Sequence, residues 1–433
     1  MLSLEEATAR ILSRFHPLEA EPVPLLEALG RVLAEDVYAA EDVPPFSNSS
    51  MDGYALRAAD TRGAAFDHPV VLRIVADIAA GSSTTVEVLP GTAARINTGA
   101  PIPLGADAVV RFEDTSEARL SPEERRAPQR GEIAILVQVA PGANVRPAGE
   151  DIRRGQLVLA RGTPQRPFEI GVLASLGRSR VSVIRKPRVG ILATGDELVD
   201  LDQPLGPGQV RDSNEYSLAA LVLRYGGIPV RLGIARDRAE EIRRKLEEGQ
   251  RAGIDLYLTS AGVSVGAHDW MTEVLAQEGD LELWKVAIRP GKPLAFGNFR
   301  GVPLLGLPGN PVSAAVTFEL FARPALLIMQ GRSRWAKPTL EVILEEDLAS
   351  DERTSFLRAV VSHRDGAYYA RTTGPQGSHV LTSLSRANAL VIVPAGARLR
   401  AGERAQAQML DWPEEVDLPS SQPSASGAER RSG

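Results

Sequence analysis

The chain contains no cysteine, and this absence excludes several kinds of chemistry at once. Without thiols there are no disulfides, no thiolate-bound zinc or iron–sulfur clusters, and no cysteine nucleophile. Histidine is scarce as well, because only five residues are scattered through 433 positions, without the spacing of metal ligands. A zinc enzyme is therefore not expected. Any protein-bound metal would be a hard cation, held by carboxylates together with substrate phosphates.

Three further features are missing from the sequence. No apolar run approaches the roughly 20 residues that a membrane-spanning helix needs. The first residues, Met1-Leu-Ser-Leu-Glu-Glu, are acidic where a secretory signal would be basic. Although 24% of residues are charged, with a formal net charge of -6, no stripe of lysine and arginine alternates with aromatic residues. We therefore expect a soluble, cytoplasmic protein that binds neither membranes nor nucleic acids.

The chain is long enough for several domains, since 433 residues exceed the size at which one hydrophobic core stops growing. Changes in the spacing of apolar residues predict where the boundaries lie. The predicted domains are a mixed α+β domain (residues 1–49 and 146–186), an inserted β-rich domain (50–145), an α/β domain (187–331), a C-terminal β domain (332–411) and a disordered tail (412–433).

The α/β domain has the clearest pattern. Four apolar, β-branched runs alternate with helical patterns, and this spacing is typical of a doubly wound, mainly parallel sheet. The predicted strands are Val189–Ala193, Val230–Ala235, Leu256–Thr259 and Val302–Leu307.

Local signals predict several other elements. Ser3-Leu-Glu-Glu6 is a capping box that begins an N-terminal helix. A short helix is expected over Leu25 to Ala34 and a β run over Thr84 to Val88. A longer helix is expected from about Asn214 to Tyr225, and another with Asp237 as its N-cap.

The conspicuous motifs of the α/β domain all follow predicted strands. They are Thr194–Glu197, Ser260–Gly266 and Leu307–Asn310. In a doubly wound sheet, ligands bind in the crevice beyond the carboxyl ends of the strands. Gly262 and Gly266 allow backbone N–H groups to form a concave nest, which suits an anion such as phosphate.

Each motif also has a simpler interpretation. Asp196 and Glu197 could hold a divalent cation or orient a water molecule, or they could be acidic residues at the start of a helix. Of Asp212, Ser213 and Asn214, at least one is expected to be a plain N-cap, and the others could bind a phosphate or a base edge.

A basic segment follows. Lys285 and Arg289 are four residues apart, so in one extended strand they would share a face, with Lys292 after a Pro-Gly turn. Three converging cations would stabilise an oxyanion, whereas the alternative is a solvated strand edge. Asn310-Pro-Val-Ser313 begins a helix whose free N–H groups form a potential anion site.

Seven motifs together resemble the molybdopterin molybdenumtransferase family, the group of MoeA and the gephyrin E-domain. They occur in the family's order from about Leu4 to Leu410. They are Asn48-Ser-Ser-Met-Asp-Gly-Tyr-Ala55, Arg95-Ile-Asn-Thr-Gly-Ala-Pro101, Thr194-Gly-Asp-Glu-Leu198, Ser260-Ala-Gly-Val-Ser-Val-Gly266, Pro290-Gly-Lys-Pro293, Leu307-Pro-Gly-Asn-Pro-Val-Ser313 and Gly377-Ser-His379.

The resemblance implies a magnesium-dependent transferase that inserts molybdate into adenylated molybdopterin and releases AMP. It also implies a homodimer, with Asp52 and Thr98 completing the crevice of the other subunit, and contacts with other cofactor-synthesis proteins and apo-molybdoenzymes. Catalytic roles are implied for Asp52, Glu197, Asp237, Asp269, Lys285 and Arg289, and metal binding for Asp196, Glu197 and Asp269. Substrate contacts are implied for Thr98, Gly99, Thr194, Gly195, Asp212, Ser213, Asn214, Ser260, Gly262, Val263, Ser264, Gly266, Pro290, Gly291, Lys292, Gly309, Asn310, Ser313 and Ser378.

The sequence departs from the family pattern at three places. Ala261 stands where glycine is usual, which narrows the nest. Arg289 stands where lysine is usual, and it keeps the charge but changes its geometry. His268-Asp-Trp270 replaces a more acidic run, so that only Asp269 carries over.

Two other functions fit parts of the pattern. An adenylyltransferase acting on the same pterin would resemble only Arg188–Gly331, and the long N-terminal half argues against it. A non-enzymatic dimeric scaffold or pterin-binding module would be expected to carry a partner domain or a long linker, and the sequence contains neither beyond its short tail.

Deleting Pro413–Gly433 is expected to change neither stability nor activity. The segment has no apolar periodicity with which to offset the entropy of ordering it. Thermal melts of the full-length and truncated proteins test this, and a clear drop in melting temperature on truncation would show that the tail docks.

Overall fold

The computed structural model describes residues 1–83, 85–119, 131–261 and 270–412. The predicted tail and the segment Gly262–Asp269 lie outside these residues, except for Trp412 at the start of the tail. The chain divides into two compact units. The first comprises Met1–Val23, Gly30–Ala34 and Ser182–Gly433, and the second comprises Pro24–Leu29 and Glu35–Val181. The finer division into four domains stays a prediction.

In chain order the strands of the described residues are β1 (Ala20–Pro24), β2 (Val37–Tyr38), β3 (Asn48–Ser49), β4 (Gly53–Leu56), β5 (Val70–Ile78), β6 (Thr92–Ile96), β7 (Ala108–Arg111), β8 (Gly131–Ile135), β9 (Val145–Arg146), β10 (Leu157–Leu159), β11 (Arg180–Ile184), β12 (Arg188–Thr194), β13 (Leu198–Val199), β14 (Val210–Arg211), β15 (Ile228–Ala235), β16 (Leu256–Ser260), β17 (Gly279–Lys285), β18 (Ile288–Arg289), β19 (Pro293–Phe299), β20 (Val302–Leu307), β21 (Thr339–Leu344), β22 (Leu348–Ala349), β23 (Thr354–Arg364), β24 (Ala367–Thr372), β25 (Ala389–Val393), β26 (Arg398–Leu399) and β27 (Arg404–Met409). The α-helices are α1 (Leu4–Leu12), α2 (Pro167–Ser175), α3 (Asn214–Arg224), α4 (Ala239–Arg251), α5 (Trp270–Glu278), α6 (Pro311–Thr317), α7 (Arg323–Met329) and α8 (Thr382–Ser385). Short 3-10 helices span Leu25–Ala28, Ala58–Thr61, Phe112–Asp114 and Ser116–Arg119.

The central sheet of the first unit has the strand order β15-β12-β16-β20-β19-β17. The first four strands are parallel, and β19 and β17 complete one edge as antiparallel strands. Because side chains alternate along a strand, the sheet has two buried faces. Val189 and Ile191 pack in one core with α3 and α6, whereas Leu192 packs in another with α4 and α5. The prediction of a doubly wound, mainly parallel sheet is confirmed.

The N-terminal helix α1 begins where the capping box predicts. The Ser3 hydroxyl accepts the Glu6 N–H, and the Glu6 carboxylate accepts the Ser3 N–H. Ala7 and Ile11 are fully buried in the core shared by α3 and α6. The helix therefore belongs to the packing of the central sheet.

One apolar helical run is longer than the sequence analysis allowed. Pro311–Met329 is a continuous 19-residue helical segment, α6 and α7 joined by a π-helical turn over Phe318–Ala322. By length and composition it could cross a membrane, but 83% of its most apolar window is buried inside the protein. Within it, Glu319 accepts a hydrogen bond from Lys337 and Arg323 donates one to a backbone carbonyl. The segment therefore serves as a core helix of the central sheet.

The C-terminal part of the first unit contains the β structure that the sequence predicts. Strands β24, β21, β27 and β25 follow one another, and β23 pairs with both β24 and β25, so the sheet closes on itself. The short strand β18 adds to it through a parallel pairing with β23. A strand that lies before α6 in the chain is therefore part of the C-terminal sheet.

The second unit is built on a five-stranded sheet in the order β7-β4-β6-β5-β8. Tyr54 and Leu56 pack on one face, and Ala55 packs on the other. Both faces of this β-rich region are therefore buried, as the alternating pattern of β4 allows.

Three local predictions are wrong. Over Leu25 to Ala34 only the 3-10 turn Leu25–Ala28 forms, because Gly30 adopts a φ of 78° that ends a helical conformation. In the described part of Thr84 to Val88 there is no strand beyond one isolated bridge at Glu87. Helix α4 has Arg238 as its N-cap, one residue after the predicted Asp237.

Candidate functional site

Three of the predicted motifs begin at neighbouring points of the central sheet. Ala193 of β12 lies opposite Ser260 of β16, and Ser260 lies opposite Leu307 of β20. Ala235, the last residue of β15, lies opposite Thr194. The loops that follow these strands therefore leave from one carboxyl edge of the sheet, as predicted.

The acidic loop after β12 is compact. Gly195 has a φ of 146°, and a Cβ at this position would collide with the Glu197 carboxylate, so the Glu197 side chain lies directly over Gly195. The Asp237 N–H donates to Asp196 Oδ1 at 3.4 Å. Arg236 donates to the backbone oxygens of Asp196 and Leu198, at 2.9 and 3.1 Å. This fixes the loop against the residues that follow β15.

The carboxylates of this loop repel one another. Burial raises the pKa of Asp237 above its usual value, and the charges of Asp196 and Glu197 raise it further. Within residues 1–83, 85–119, 131–261 and 270–412, no three carboxylate or imidazole groups are arranged to hold a metal ion. The third predicted ligand, Asp269, lies outside the described residues.

The start of helix α3 contributes polar atoms to the same edge. Ser213 is the N-cap residue, but the capping hydrogen bonds come from Asp212, whose Oδ1 accepts the backbone N–H groups of Asn214 and Glu215 at 3.0 and 3.1 Å. Ser213 makes no side-chain capping bond. Asn214 Nδ2 donates to the Gly309 carbonyl at 2.7 Å, which joins α3 to the loop after β20.

Several buried oxygen atoms near this edge lack partners. Asp212 Oδ2, Asn214 Oδ1 and Thr259 Oγ1 have no hydrogen-bond partner among the residues that the structure describes. Burial raises the pKa of Asp212. Since buried polar groups are nearly always paired, these three atoms indicate a place where a bound ligand or water supplies the missing bonds.

The loop before α6 is held in place by hydrogen bonds to Ser378, from the C-terminal part of the chain. Asn310 is the N-cap, and its Nδ2 donates to Ser378 Oγ at 3.0 Å. The Val312 N–H donates to the Ser378 carbonyl at 3.1 Å, and the Ser313 side chain is buried. Gly309 approaches Ala261 so closely that an added Cβ would lie 3.2 Å from the Ala261 Cβ.

Ala261 has a φ of 71°, in the left-handed region where glycine is preferred. The departure from the family's glycine is therefore accommodated at the cost of some backbone strain. The rest of the predicted nest, Gly262, Val263, Ser264 and Gly266, lies outside the described residues.

The basic segment is not one extended strand, and that prediction is wrong. Strand β17 ends at Lys285, opposite Pro293 of β19, whereas Arg289 belongs to β18 in the C-terminal sheet. The Val286 N–H donates to the Lys292 carbonyl at 2.8 Å, which closes the intervening residues into a loop. Pro290 has no N–H to donate, so it cannot extend a strand ladder.

Gly291 places this loop against α6. Its φ is 110°, and a Cβ would lie 2.5 Å from Thr317 Cγ2. Lys285, Arg289 and Lys292 are all exposed. The loop between Arg289 and Lys292 therefore packs on Thr317, at the last residue of α6.

The sequence analysis missed one basic residue, Arg358 of β23. It is fully buried, and it donates from Nε to Ser383 Oγ at 3.0 Å and from Nη2 to the Gly377 carbonyl at 3.1 Å. Burial, followed by the nearby charge of Arg289, lowers its pKa to about 10. A buried guanidinium beside the Ser378 loop, without a carboxylate partner in the described residues, suits an anion. The only sequence signal was a single arginine inside the apolar run Phe356–Val361.

In the second unit, Asp52 and Thr98 form a pair. The Thr98 N–H and Oγ1 both donate to Asp52 Oδ1, at 2.7 and 3.0 Å. Asp52 immediately precedes β4 and Thr98 follows β6, and these strands are paired from Gly53 to Ile96. Gly99 has a φ of 81° and turns the chain after the pair. Both side chains are exposed.

Three family models match the chain in order. They are described as the MoeA N-terminal region (domain I and II), matching residues 2–177, a probable molybdopterin binding domain, matching 190–327, and the MoeA C-terminal region (domain IV), matching 341–410. A solved structure of a molybdopterin biosynthesis MoeA protein from Pyrococcus horikoshii OT3 matches 94% of this chain and all of that one, with a TM-score of 0.78 and 31% identity.

Curated relatives indicate the same family as these models. The chain is 37% identical over 401 residues to molybdopterin molybdenumtransferase 2 of Mycobacterium tuberculosis, covering 91% of this chain and 96% of the relative. It is 35% identical over 421 residues to the molybdopterin molybdenumtransferase of Bacillus subtilis, covering 95% and 96%. Because these matches extend over nearly the whole of both chains, the protein belongs to the MoeA family of molybdopterin molybdenumtransferases.

Proposed function

We propose that this protein inserts molybdate into adenylated molybdopterin and releases AMP, which yields molybdenum cofactor. The observation that carries the proposal is the carboxyl edge of the central sheet. There, three adjacent strand ends, unpartnered buried oxygens and a nearby set of cations provide the groups that a pterin pyrophosphate and an oxyanion require. The scaffold alternative is not favoured, since the curated relatives are named as transferases.

The cations and the start of α6 would bind the negatively charged parts of the substrates. The helix that begins with α6 directs the positive end of its dipole towards this loop, which favours an anion there. Lys292 and Arg289 add mobile positive charge, and Arg358 adds a buried one. Charge that builds up on the cleaved pyrophosphate would be stabilised by these groups without a large rearrangement.

The carboxylates Asp196 and Glu197 fit a hard divalent cation. Their oxygen donors are those that Mg²⁺ prefers, and the raised pKa of Asp237 indicates negative charge that a cation would offset. Bound there with Asp269, Mg²⁺ would supply charge neutralisation for the pyrophosphate. With that charge offset, Asp237 would be a carboxylate that orients water beside the leaving AMP.

The absence of cysteine agrees with this reaction. Molybdenum in the product is held by the dithiolene sulfur atoms of the pterin, so the protein needs no thiolate of its own. Molybdate is thus a substrate, and the protein's part is to place it near the dithiolene with positive charge.

We expect an obligate homodimer in which Asp52 and Thr98 serve the crevice of the other subunit. Two co-expressed variants with different tags, Asp52→Ala and Glu197→Ala, test this arrangement. Heterodimers isolated through both tags should regain about half of the wild-type rate, because one of the two crevices then has both residues intact. Each homodimeric variant is the matched control. An inactive heterodimer, or a monomer in sedimentation at working concentration, would contradict this expectation.

The protein is further proposed to act in the cytoplasm, to bind other cofactor-synthesis proteins and to transfer its product to apo-molybdoenzymes. The direct test of the reaction combines purified protein, adenylated molybdopterin, Mg²⁺ and molybdate, and follows AMP by chromatography. Release of AMP that requires both molybdate and Mg²⁺ is expected. Release that is equally fast without added Mg²⁺, in the presence of a chelator, would remove the metal from the proposal.

A further inference from the structure

Arg289 has a carboxylate neighbour that no motif contains. Its Nη1 lies 3.5 Å from Oδ2 of Asp351. The two residues meet because β18 pairs with β23 in parallel register, with Arg289 opposite Ser355. Asp351 comes from the C-terminal domain, just before β23.

Asp351 is held in place independently of Arg289. Its Oδ1 accepts the backbone N–H of Arg353 at 3.0 Å and Nε of the same residue at 3.1 Å, and its Oδ2 accepts Nη2 at 2.5 Å. The Asp351 carbonyl also accepts the Gly396 N–H at 2.6 Å. The hydrogen bonds from Arg353 lower the pKa of Asp351, so the carboxylate is charged at neutral pH.

A fixed negative charge beside Arg289 has two effects on an arriving oxyanion. The Asp351 carboxylate forms an ion pair with part of the Arg289 guanidinium, and it also repels the anion directly. Both side chains are partly exposed, 53% for Arg289 and 38% for Asp351, so the repulsion is moderated by solvent but not abolished.

We propose that Asp351 sets the molybdate affinity of the site by acting as a counter-ion to Arg289, which weakens oxyanion binding. The inference rests on the function proposed above, with Arg289 as an oxyanion-binding residue. Asp351 is thus a positioning and tuning residue. It keeps the site from binding small dianions so tightly that it stays occupied when the pterin substrate arrives.

The variant Asp351→Asn removes the charge and keeps an oxygen that can accept the Arg353 N–H. We expect the molybdate concentration for half-maximal AMP release to fall by about three- to tenfold, as expected for one charge at this distance in a partly exposed site. Sulfate, offered as a competing dianion, should inhibit at correspondingly lower concentration. The difference from wild type should shrink at high ionic strength, because salt screens exposed charges.

Two further variants make the result specific. Asp365→Asn makes the same change in an exposed turn at the far end of β23, and it should leave the molybdate requirement at the wild-type value. In an Arg289→Ala background, Asp351→Asn should have a smaller effect than in the wild type, because only the direct repulsion of the anion then remains.

The inference is overturned if Asp351→Asn leaves the molybdate requirement unchanged, or raises it, while Arg289→Ala raises it. In that case the proposed function and the role of Arg289 still stand. If AMP is never released by the wild-type protein, the proposed function itself fails. The wild-type reaction therefore distinguishes the two failures.

Discussion

Replacing Glu197 by alanine is expected to reduce the rate of AMP release by at least about a hundredfold, the usual effect of removing an acid–base or electrostatic group from an active site. Asp52→Ala should have a loss of similar size. Stability should change by less than about 0.5 kcal/mol in Glu197→Ala, whose side chain is exposed and packs in no core. Asp52→Ala should lose about 1 to 2 kcal/mol, because it also removes the acceptor of two hydrogen bonds from Thr98. The rate of AMP release and a urea melt of each variant measure the two effects.

A titration provides a second readout for Glu197. Because the charge of Glu197 helps to raise the pKa of Asp237, Glu197→Gln should move that pKa down towards its usual range. NMR detection of the Asp237 carboxyl follows the shift. Asp202→Ala, which removes an exposed carboxylate from the turn after β13, is the matched control and should retain wild-type turnover. Undiminished turnover in Glu197→Ala would remove this residue from the site.

Replacing Arg289 by alanine is expected to raise the molybdate requirement roughly tenfold or more, the usual value of a lost hydrogen bond to a charged group. AMP binding should weaken much less, because Arg358, Lys292 and the start of α6 remain. Arg289→Lys should recover most of the loss, since it keeps the charge but not the planar geometry. The test compares molybdate dependence of AMP release with AMP affinity from calorimetry.

Arg364→Ala is a suitable control, because Arg364 lies at the opposite end of β23 and pairs with Glu345 at the surface. This variant should change neither the molybdate requirement nor the AMP affinity. Equal weakening of molybdate and AMP binding by Arg289→Ala would show that Arg289 binds the nucleotide phosphate instead.

The sequence predicted those parts of the fold in which apolar residues form a strong pattern. Strands β12 and β16 are buried on both faces, so their apolar runs are continuous and their ends are marked by Thr194 and Ser260. The position proposed for the site rests on these strand ends, which lie side by side in the sheet. The matching families then supplied the chemistry that residue patterns alone left open.

The predictions that were wrong concern features that depend on contacts between residues far apart in the sequence. A spacing of four residues between Lys285 and Arg289 could not show that the chain changes sheets between them, since the partner strand β23 lies more than 60 positions later. Arg358 was missed for the same reason, because only its burial beside Gly377 distinguishes it from an ordinary strand residue. The 3-10 turn at Leu25–Ala28 shows that a glycine with positive φ, here Gly30, can outweigh a helical pattern.

The most direct test of the central claim is a single-turnover reaction of the purified protein with adenylated molybdopterin, Mg²⁺ and molybdate. AMP is measured by chromatography, molybdenum bound to the pterin by elemental analysis, and product quality by activation of an apo-molybdoenzyme. The account predicts that AMP and pterin-bound molybdenum appear together in equal amounts, and that the apoenzyme becomes active. If no AMP is released at any molybdate concentration, or if AMP appears while the pterin remains free of molybdenum, the transferase function proposed here is contradicted.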